Sequence, residues 1–139
     1  MMSGDLFVKK RPSETIEQFR GKFCEVLGIQ LGEQRFSDNY AEGTYFRTDC
    51  LGVRVQIEAA DDTNVADFDY HVHFRARVHR LAAERATMEG IADLVAVELV
   101  GAGYDVLRLS SNSDGPSGGR IRRRCVLSSD GSLPQFVQE

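Results

Sequence analysis

Apolar and polar side chains alternate along residues 67–78, whose sequence is DFDYHVHFRARV. Because consecutive side chains of a strand point to opposite sides, this pattern predicts a β-strand with one apolar and one ionisable face. The face that we expect to pack in the core comprises Phe68, Tyr70, Val72, Phe74, Ala76 and Val78. The face that we expect to lie in water comprises Asp67, Asp69, His71, His73, Arg75 and Arg77.

Other segments show helical or strand periodicity. Apolar residues at helical spacing predict a first helix that begins after an N-cap at Ser13 and ends at Gly28, and a second helix over about residues 80–100. Strand patterns cover residues 44–51, 53–58, 104–109 and 120–128. The pattern over residues 33–36 is ambiguous, and residues 6–8 form a short strand or an ordered arm.

The order helix, three strands, helix, two strands predicts an α+β fold. Two helices would pack on one face of a single antiparallel sheet, and the other sheet face would be polar. A chain of 139 residues has the length of one domain. We therefore expect a single α+β domain over residues 1–128 and a loosely ordered tail over residues 129–139.

Composition narrows the class of protein. An apolar fraction of 42% is ordinary for a globular protein, and a net charge of -4 argues against a general nucleic-acid binder. Cys24, Cys50 and Cys125 are far apart in sequence, which is typical of reduced thiols in a cytoplasmic protein. Because no apolar run is long enough for a signal peptide or a membrane span, we expect a cytoplasmic location and no membrane partner.

His71 and His73 are candidate metal ligands. Side chains at positions i and i+2 of a strand share a face, so the two imidazoles and a carboxylate of Asp67 or Asp69 could hold zinc, iron or nickel. A small metal-dependent enzyme would follow. Against this, Arg75 and its neighbours add positive charge beside the site, and the alternative is a solvated face whose charges pair with adjacent strands.

Arginines supply a second candidate site. If the last strand lies near the central one, an anion or nucleic-acid site would converge on the polar face of the sheet, because arginine pairs well with phosphate and carboxylate. Its residues would be Arg75, Arg77, Arg120, Arg122 and Arg124. Surface aromatics for base stacking are missing from this set, so a nucleic-acid role is disfavoured.

Catalytic and cofactor motifs are absent from the sequence. It contains no phosphate-binding loop of the G-x-x-x-x-G-K-S/T type, no H-E-x-x-H and no G-x-S-x-G. The sequence therefore predicts no catalytic residue and no cofactor, and it favours a non-catalytic role.

A turn-rich run at residues 37–46, SDNYAEGTYF, is followed by Leu-Gly-Val at 51–53 and by an Ala-Ala-Asp-Asp break at 59–62. This succession of strands and turns, over residues 35–74, resembles small stand-alone bacterial proteins of the immunity or antitoxin-partner type. The resemblance implies a protein-binding module, such as an immunity-type inhibitor of a bacterial toxin. It supplies no family site residues.

Acidic residues gather around the loop that follows Glu58. They would attract a basic protein partner, such as a toxin-like enzyme, although they are equally typical of ordinary solvated turns. The residues that we expect to bind the partner are Asp61, Asp62, Asp67 and Asp69, with Tyr40 and Tyr45 as aromatic anchors. The sequence does not fix the oligomeric state, and a homodimer is compatible with it.

Overall fold

Two helices and eight strands make up the structure, a computed structural model that describes residues 3–30, 33–36, 44–50, 52–61, 67–76, 84–111, 120–127 and 134–138. The helices are α1 (Ile16–Leu27) and α2 (Glu84–Gly101). The strands are β1 (Ser3–Lys9), β2 (Glu33–Phe36), β3 (Thr44–Cys50), β4 (Val53–Ala59), β5 (Tyr70–Ala76), β6 (Asp105–Ser111), β7 (Arg120–Val126) and β8 (Gln135–Gln138).

The strands form one sheet in the order β2-β3-β4-β5-β1-β6-β7-β8, and every neighbouring pair is antiparallel. Both helices pack on the same face of this sheet, where their apolar side chains join those of β1, β4 and β5. The predicted α+β fold, with two helices on one face of an antiparallel sheet, is therefore confirmed. We call the opposite side of the sheet the open face.

Strand β1 lies at the centre of the sheet, between β5 and β6. The sequence predicts only a short strand or an arm here. Leu6 and Val8 pack under the helices, whereas Phe7 packs on the open face, and all three are buried. A run of apolar residues without alternation is typical of a strand that is covered on both faces.

The main core lies between the helices and the sheet. Tyr70, Val72 and Phe74 of β5 belong to it, as their alternation predicts. Phe68 is buried as well, but it precedes β5 and joins a smaller cluster with Phe7, Leu107 and Leu109 on the open face. The expectation that Phe68 shares a face with Tyr70 is therefore wrong, because the strand pattern begins only at Tyr70. Val78 lies outside the described residues.

Helix α1 begins after Thr15, not after Ser13. Thr15 Oγ1 accepts a hydrogen bond from the backbone N–H of Gln18, and the Gln18 side chain accepts one from the backbone N–H of Thr15, which forms a capping box. Ser13 has a φ of 63° and belongs to the preceding turn. Gly28 ends the helix in the left-handed conformation, as predicted.

Two contacts fix α2 against the sheet. Gly4 of β1 lies so close to α2 that a Cβ atom there would meet the carbonyl oxygen of Met88. Arg108 of β6 is fully buried, and its guanidinium donates to Asp93 Oδ1 at 2.9 Å, to the Glu89 carboxylate and to the backbone carbonyl of Asp5. This ion-paired arginine therefore joins α2 to both central strands.

The end of the chain is more ordered than the sequence predicts. Residues Gln135–Gln138 form the edge strand β8, which pairs with β7, where we expected a loose tail. Phe136 packs against the main core and anchors this strand. Neither helix, over the residues that the structure describes, combines the length and the apolar character needed to cross a bilayer.

Candidate metal centre

Three neighbouring strands bring four titratable side chains together on the open face. Glu58 of β4 is the cross-strand partner of His71 in β5, and Asp5 of β1 is the partner of His73. Because cross-strand partners and next-but-one neighbours share a face, all four side chains converge. We call Glu58, His71 and His73 the candidate metal centre, with Asp5 as its outer partner.

The contacts within the centre are short. His73 Nε2 lies 2.9 Å from Glu58 Oε1, and His71 Nδ1 lies 3.4 Å from the same oxygen. On its other side, His71 Nε2 lies 2.8 Å from Asp5 Oδ1. Glu58 is therefore shared by both imidazoles, and His71 bridges two carboxylates.

Aromatic packing holds the imidazoles in place. The Phe7 ring stacks on His71 with centroids 4.5 Å apart and an interplanar angle of 10°, and the two histidine rings are 4.8 Å apart. The orientation of His71 is thus set by a ring on one side and by hydrogen bonds at both nitrogens. Such preorganisation is what a ligand residue requires.

The centre is largely removed from water. The exposed side-chain fraction is 23% for His71, 11% for Glu58 and 4% for His73. We expected both histidines on a solvated face, and for His73 this is wrong. The second cluster with Phe7 covers part of the open face, so an alternating strand there does not meet bulk water at every polar position.

Burial and charge act in opposite directions on the three groups. Burial alone would raise the pKa of Glu58, but the hydrogen bonds and charge of the two imidazoles prevail and lower it from 4.5 to about 2. Burial opposes the charged form of His71, yet Asp5 and Glu58 raise its pKa above 6.5. Burial lowers the pKa of His73. The hydrogen bond and the charge of Glu58 raise it, but burial and the charges of His71 and Arg75 prevail. His73 is therefore held neutral, the form that binds metal.

One buried polar atom of the cluster lowers the stability of the folded protein. His73 Nδ1 is buried and has no hydrogen-bond partner within the described part of the chain. Replacement of partly buried ionic groups by apolar side chains of similar volume is often neutral or stabilising, so such a cluster is weak evidence for a purely structural role.

The donor set fits a divalent transition metal ion. One nitrogen of each histidine and one oxygen of Glu58 all lie within 4.8 Å of one another. A metal bound at about 2.1 Å from each donor needs donors about 3–3.5 Å apart, so only a small closure of the two imidazoles is required. Two histidines and one carboxylate are ligands of zinc and of iron(II).

All three donors approach from the same side of the sheet. A metal among them would therefore be held on one hemisphere, with its other positions directed away from the sheet. Asp5 would accept the Nε2–H of His71 while Nδ1 faces the metal, which is the usual carboxylate–histidine–metal arrangement.

The acidic residues predicted as partners of the histidines do not join them. Asp69 Oδ2 instead accepts a hydrogen bond from the backbone N–H of Lys10, and Asp67 is exposed in the turn before β5. The carboxylates at the centre are Glu58 and Asp5. The strong alternation of β4 predicts a face for Glu58, but the sequence does not show which strands are neighbours.

The arginines of the predicted anion site do not converge. Arg122 and Arg124 lie on β7, and β1 and β6 separate that strand from Arg75 in β5. At about 4.8 Å per strand, the two groups are about 14 Å apart. Arg124 instead pairs with Asp105 at 2.8 Å. Arg77 and the side chain of Arg120 lie outside the described residues.

The residues expected to bind a protein partner are only partly described. Tyr40 and Asp62 lie outside the described residues. Asp61 and Asp67 are exposed at the two ends of one loop, and Tyr45 is half-buried on β3. Beside this loop is a cleft of about 580 Å³, with Ala60, Phe68 and Asp69 among the residues that line it.

Compared with protein-family models, with curated proteins and with solved structures, the chain matches none. The candidate function therefore follows from the residues of this chain alone.

Proposed function

We propose that this protein binds one divalent transition metal ion, of the zinc or iron(II) type, through Glu58, His71 and His73. The observation that carries the proposal is the convergence of two imidazoles on one buried carboxylate oxygen, at 2.9 Å and 3.4 Å. A buried Glu–His–His cluster with an orienting outer carboxylate has the composition and order of a metal centre.

The proposed centre is suited to act on a further ligand. Among the residues that the structure describes, three donors approach, and they do so from the sheet side, so the outer side of the ion would be open to water or to an exogenous group. A metal held in this way acts as a Lewis acid that polarises a bound oxygen. This is the chemistry of the metal-dependent enzyme that the sequence offers as an alternative to a non-catalytic role.

Titration of metal-free protein with Zn²⁺ by calorimetry tests the proposal. We expect one ion per chain, and an affinity lower by about 100-fold or more in Glu58→Gln, because this variant removes the shared donor. Glu25→Gln is the matched control, since Glu25 lies on the exposed surface of α1 beside Lys22. Absence of stoichiometric binding, or equal affinities for wild type and Glu58→Gln, would contradict the proposal.

We propose binding of a basic protein partner as a second candidate function, in line with the immunity-type role inferred from the sequence. Its support is the exposure of Asp61 and Asp67 beside the 580 Å³ cleft, where Asp69 also contributes. Long-range attraction between acidic and basic surfaces accelerates association and weakens with added salt. Co-purification of a specific basic protein, reduced in Asp61→Asn/Asp67→Asn and unchanged in Glu25→Gln, is the expected result.

A further inference from the structure

The residue that follows the metal centre on the open face is Arg75. It lies two residues after His73 on β5, and its cross-strand neighbours are Arg54 of β4 and Ser3 of β1. Residues two apart on a strand are separated by about 6.6 Å. Arg75 is exposed, and its register on β5 places it next to the centre on the open face.

Arg75 faces another arginine across the strand pair. Arg54 lies directly opposite, and like charges in cross-strand pairs destabilise a sheet. Arg54 is neutralised by Asp49, whose Oδ1 lies 2.9 Å from Arg54 Nε. Over the residues that the structure describes, no hydrogen bond or ion pair engages Arg75. A bound metal ion would add further positive charge nearby.

We propose that the metal centre, once loaded, takes an anionic oxygen ligand, a carboxylate or a phosphate group, which Arg75 holds at its second oxygen. This inference rests on the proposed metal-binding function and adds the class of ligand. An anion between Arg75 and the metal ion would offset the repulsion between these two positive charges.

The two-residue spacing of His73 and Arg75 along β5 is compatible with a bridging oxyanion. One oxygen bound to the metal at about 2.1 Å and a second oxygen at about 2.8 Å from a guanidinium nitrogen bridge a gap of about 7 Å. The planar fork of arginine matches both carboxylate and phosphate. A neutral ligand would leave the charge of Arg75 uncompensated.

Spectroscopy of the Co²⁺-loaded full chain separates this inference from the metal site itself. Visible absorption of bound Co²⁺ reports changes in its ligands, and the probes are acetate and inorganic phosphate, which distinguish the two sources of the oxyanion. We expect at least one of them to alter the spectrum saturably. We expect its dissociation constant to rise by about tenfold or more in Arg75→Gln, because a hydrogen bond to an ionised partner is lost.

Arg122→Gln is the matched control, since Arg122 lies on the same face but three strands away from His73. It should bind the anion as the wild type does. Failure of wild type to bind Co²⁺ would overturn the metal-binding proposal. Normal Co²⁺ binding without an effect of either anion, or with equal anion affinity in Arg75→Gln, would overturn the present inference alone.

Discussion

Asp5 Oδ1 lies 2.8 Å from His71 Nε2, although the two residues are on different strands and far apart in sequence. β1 supplies the carboxylate, and β5 supplies the imidazole. The backbone carbonyl of Asp5 in turn accepts a hydrogen bond from the buried Arg108. The outer partner of the metal centre is therefore fixed from both faces of the sheet.

Replacement of Asp5 by Asn should weaken metal binding without removing a ligand. The amide still reaches His71, but it lacks the charge that orients the imidazole and makes it a stronger donor. We expect the Zn²⁺ dissociation constant to rise by about 10- to 100-fold. Competition with a chromophoric chelator measures this change. Asp105→Asn, a change at an exposed position near Arg124, is the control, and an unchanged affinity in Asp5→Asn would show that Asp5 has no role.

The stability of the metal-free protein should depend on Glu58 in a defined pH range. Because folding lowers the pKa of Glu58 from 4.5 to about 2, its contribution is complete above pH 4.5 and is lost as the pH falls toward 2. His71 has a raised pKa, so its contribution is complete below pH 6.5 and is lost as the pH rises through its folded value. The Glu58–His71 interaction is thus strongest between these limits.

Urea unfolding of wild type and Glu58→Gln at a series of pH values measures this effect. The difference in the free energy of unfolding should be largest between pH 4.5 and 6.5 and should shrink on either side. Glu25→Gln should show little difference at any pH. A difference between wild type and Glu58→Gln that is constant down to about pH 2 would contradict the assigned pKa shift.

Arg108→Met should be strongly destabilising. The arginine is fully buried, and its loss leaves the carboxylates of Glu89 and Asp93 with less compensation. Breaking such a pair from one side costs about 3 kcal/mol. Lys22→Met, which removes an exposed pair with Glu25, should cost less than about 1 kcal/mol. Equal denaturation midpoints for wild type and Arg108→Met would contradict this prediction, because they would show that methionine replaces the ion pairs of Arg108 without loss of stability.

Gly4→Ala and Gly21→Ala should have opposite effects. At Gly4 the new methyl group would meet the Met88 carbonyl oxygen and lie 3.0 Å from Ala92 Cβ, so α2 must move away from β1. We expect a loss of about 2 kcal/mol. At Gly21, on the exposed side of α1, nothing lies within 4 Å, and alanine should add about 0.5–1 kcal/mol by favouring the helix. Thermal denaturation of both variants tests this contrast, which a stable Gly4→Ala would contradict.

Local patterns in the sequence predict individual helices and strands better than they predict which strands lie next to each other. The alternation around His71 predicts β5 and its core face, and Gly28 predicts the end of α1. No sequence pattern links Glu58 to the histidines, although its carboxylate oxygen lies 2.9 Å from His73 Nε2. Alternation gives a side chain its face, but strand order and register depend on contacts between distant residues, which a single sequence does not display.

Asp5 illustrates the same limit. It lies in a short apolar segment near the start of the chain, and no periodicity links it to the histidines. Only the insertion of β1 between β5 and β6 brings the two together. The predicted exposure of His73 is wrong for a related reason. His73 contacts Glu58 of β4 and His71, and Phe7 of β1 stacks on His71, and the local alternation of β5 does not reveal these neighbours from other strands.

The central place of β1 has a consequence for how the chain reaches its native state. β1 pairs with β5 and with β6, and both partners follow it in the chain, β6 only after α2. Until β6 is made, one edge of β1 has no partner strand. Its unpaired backbone N–H and C=O groups and its apolar side chains can then bind other chains. Pairing between strands that are far apart in the sequence is slow, because a long segment of chain must first be closed into a loop. We expect refolding to be limited by the docking of this first strand, and nascent chains that end before β6 to aggregate.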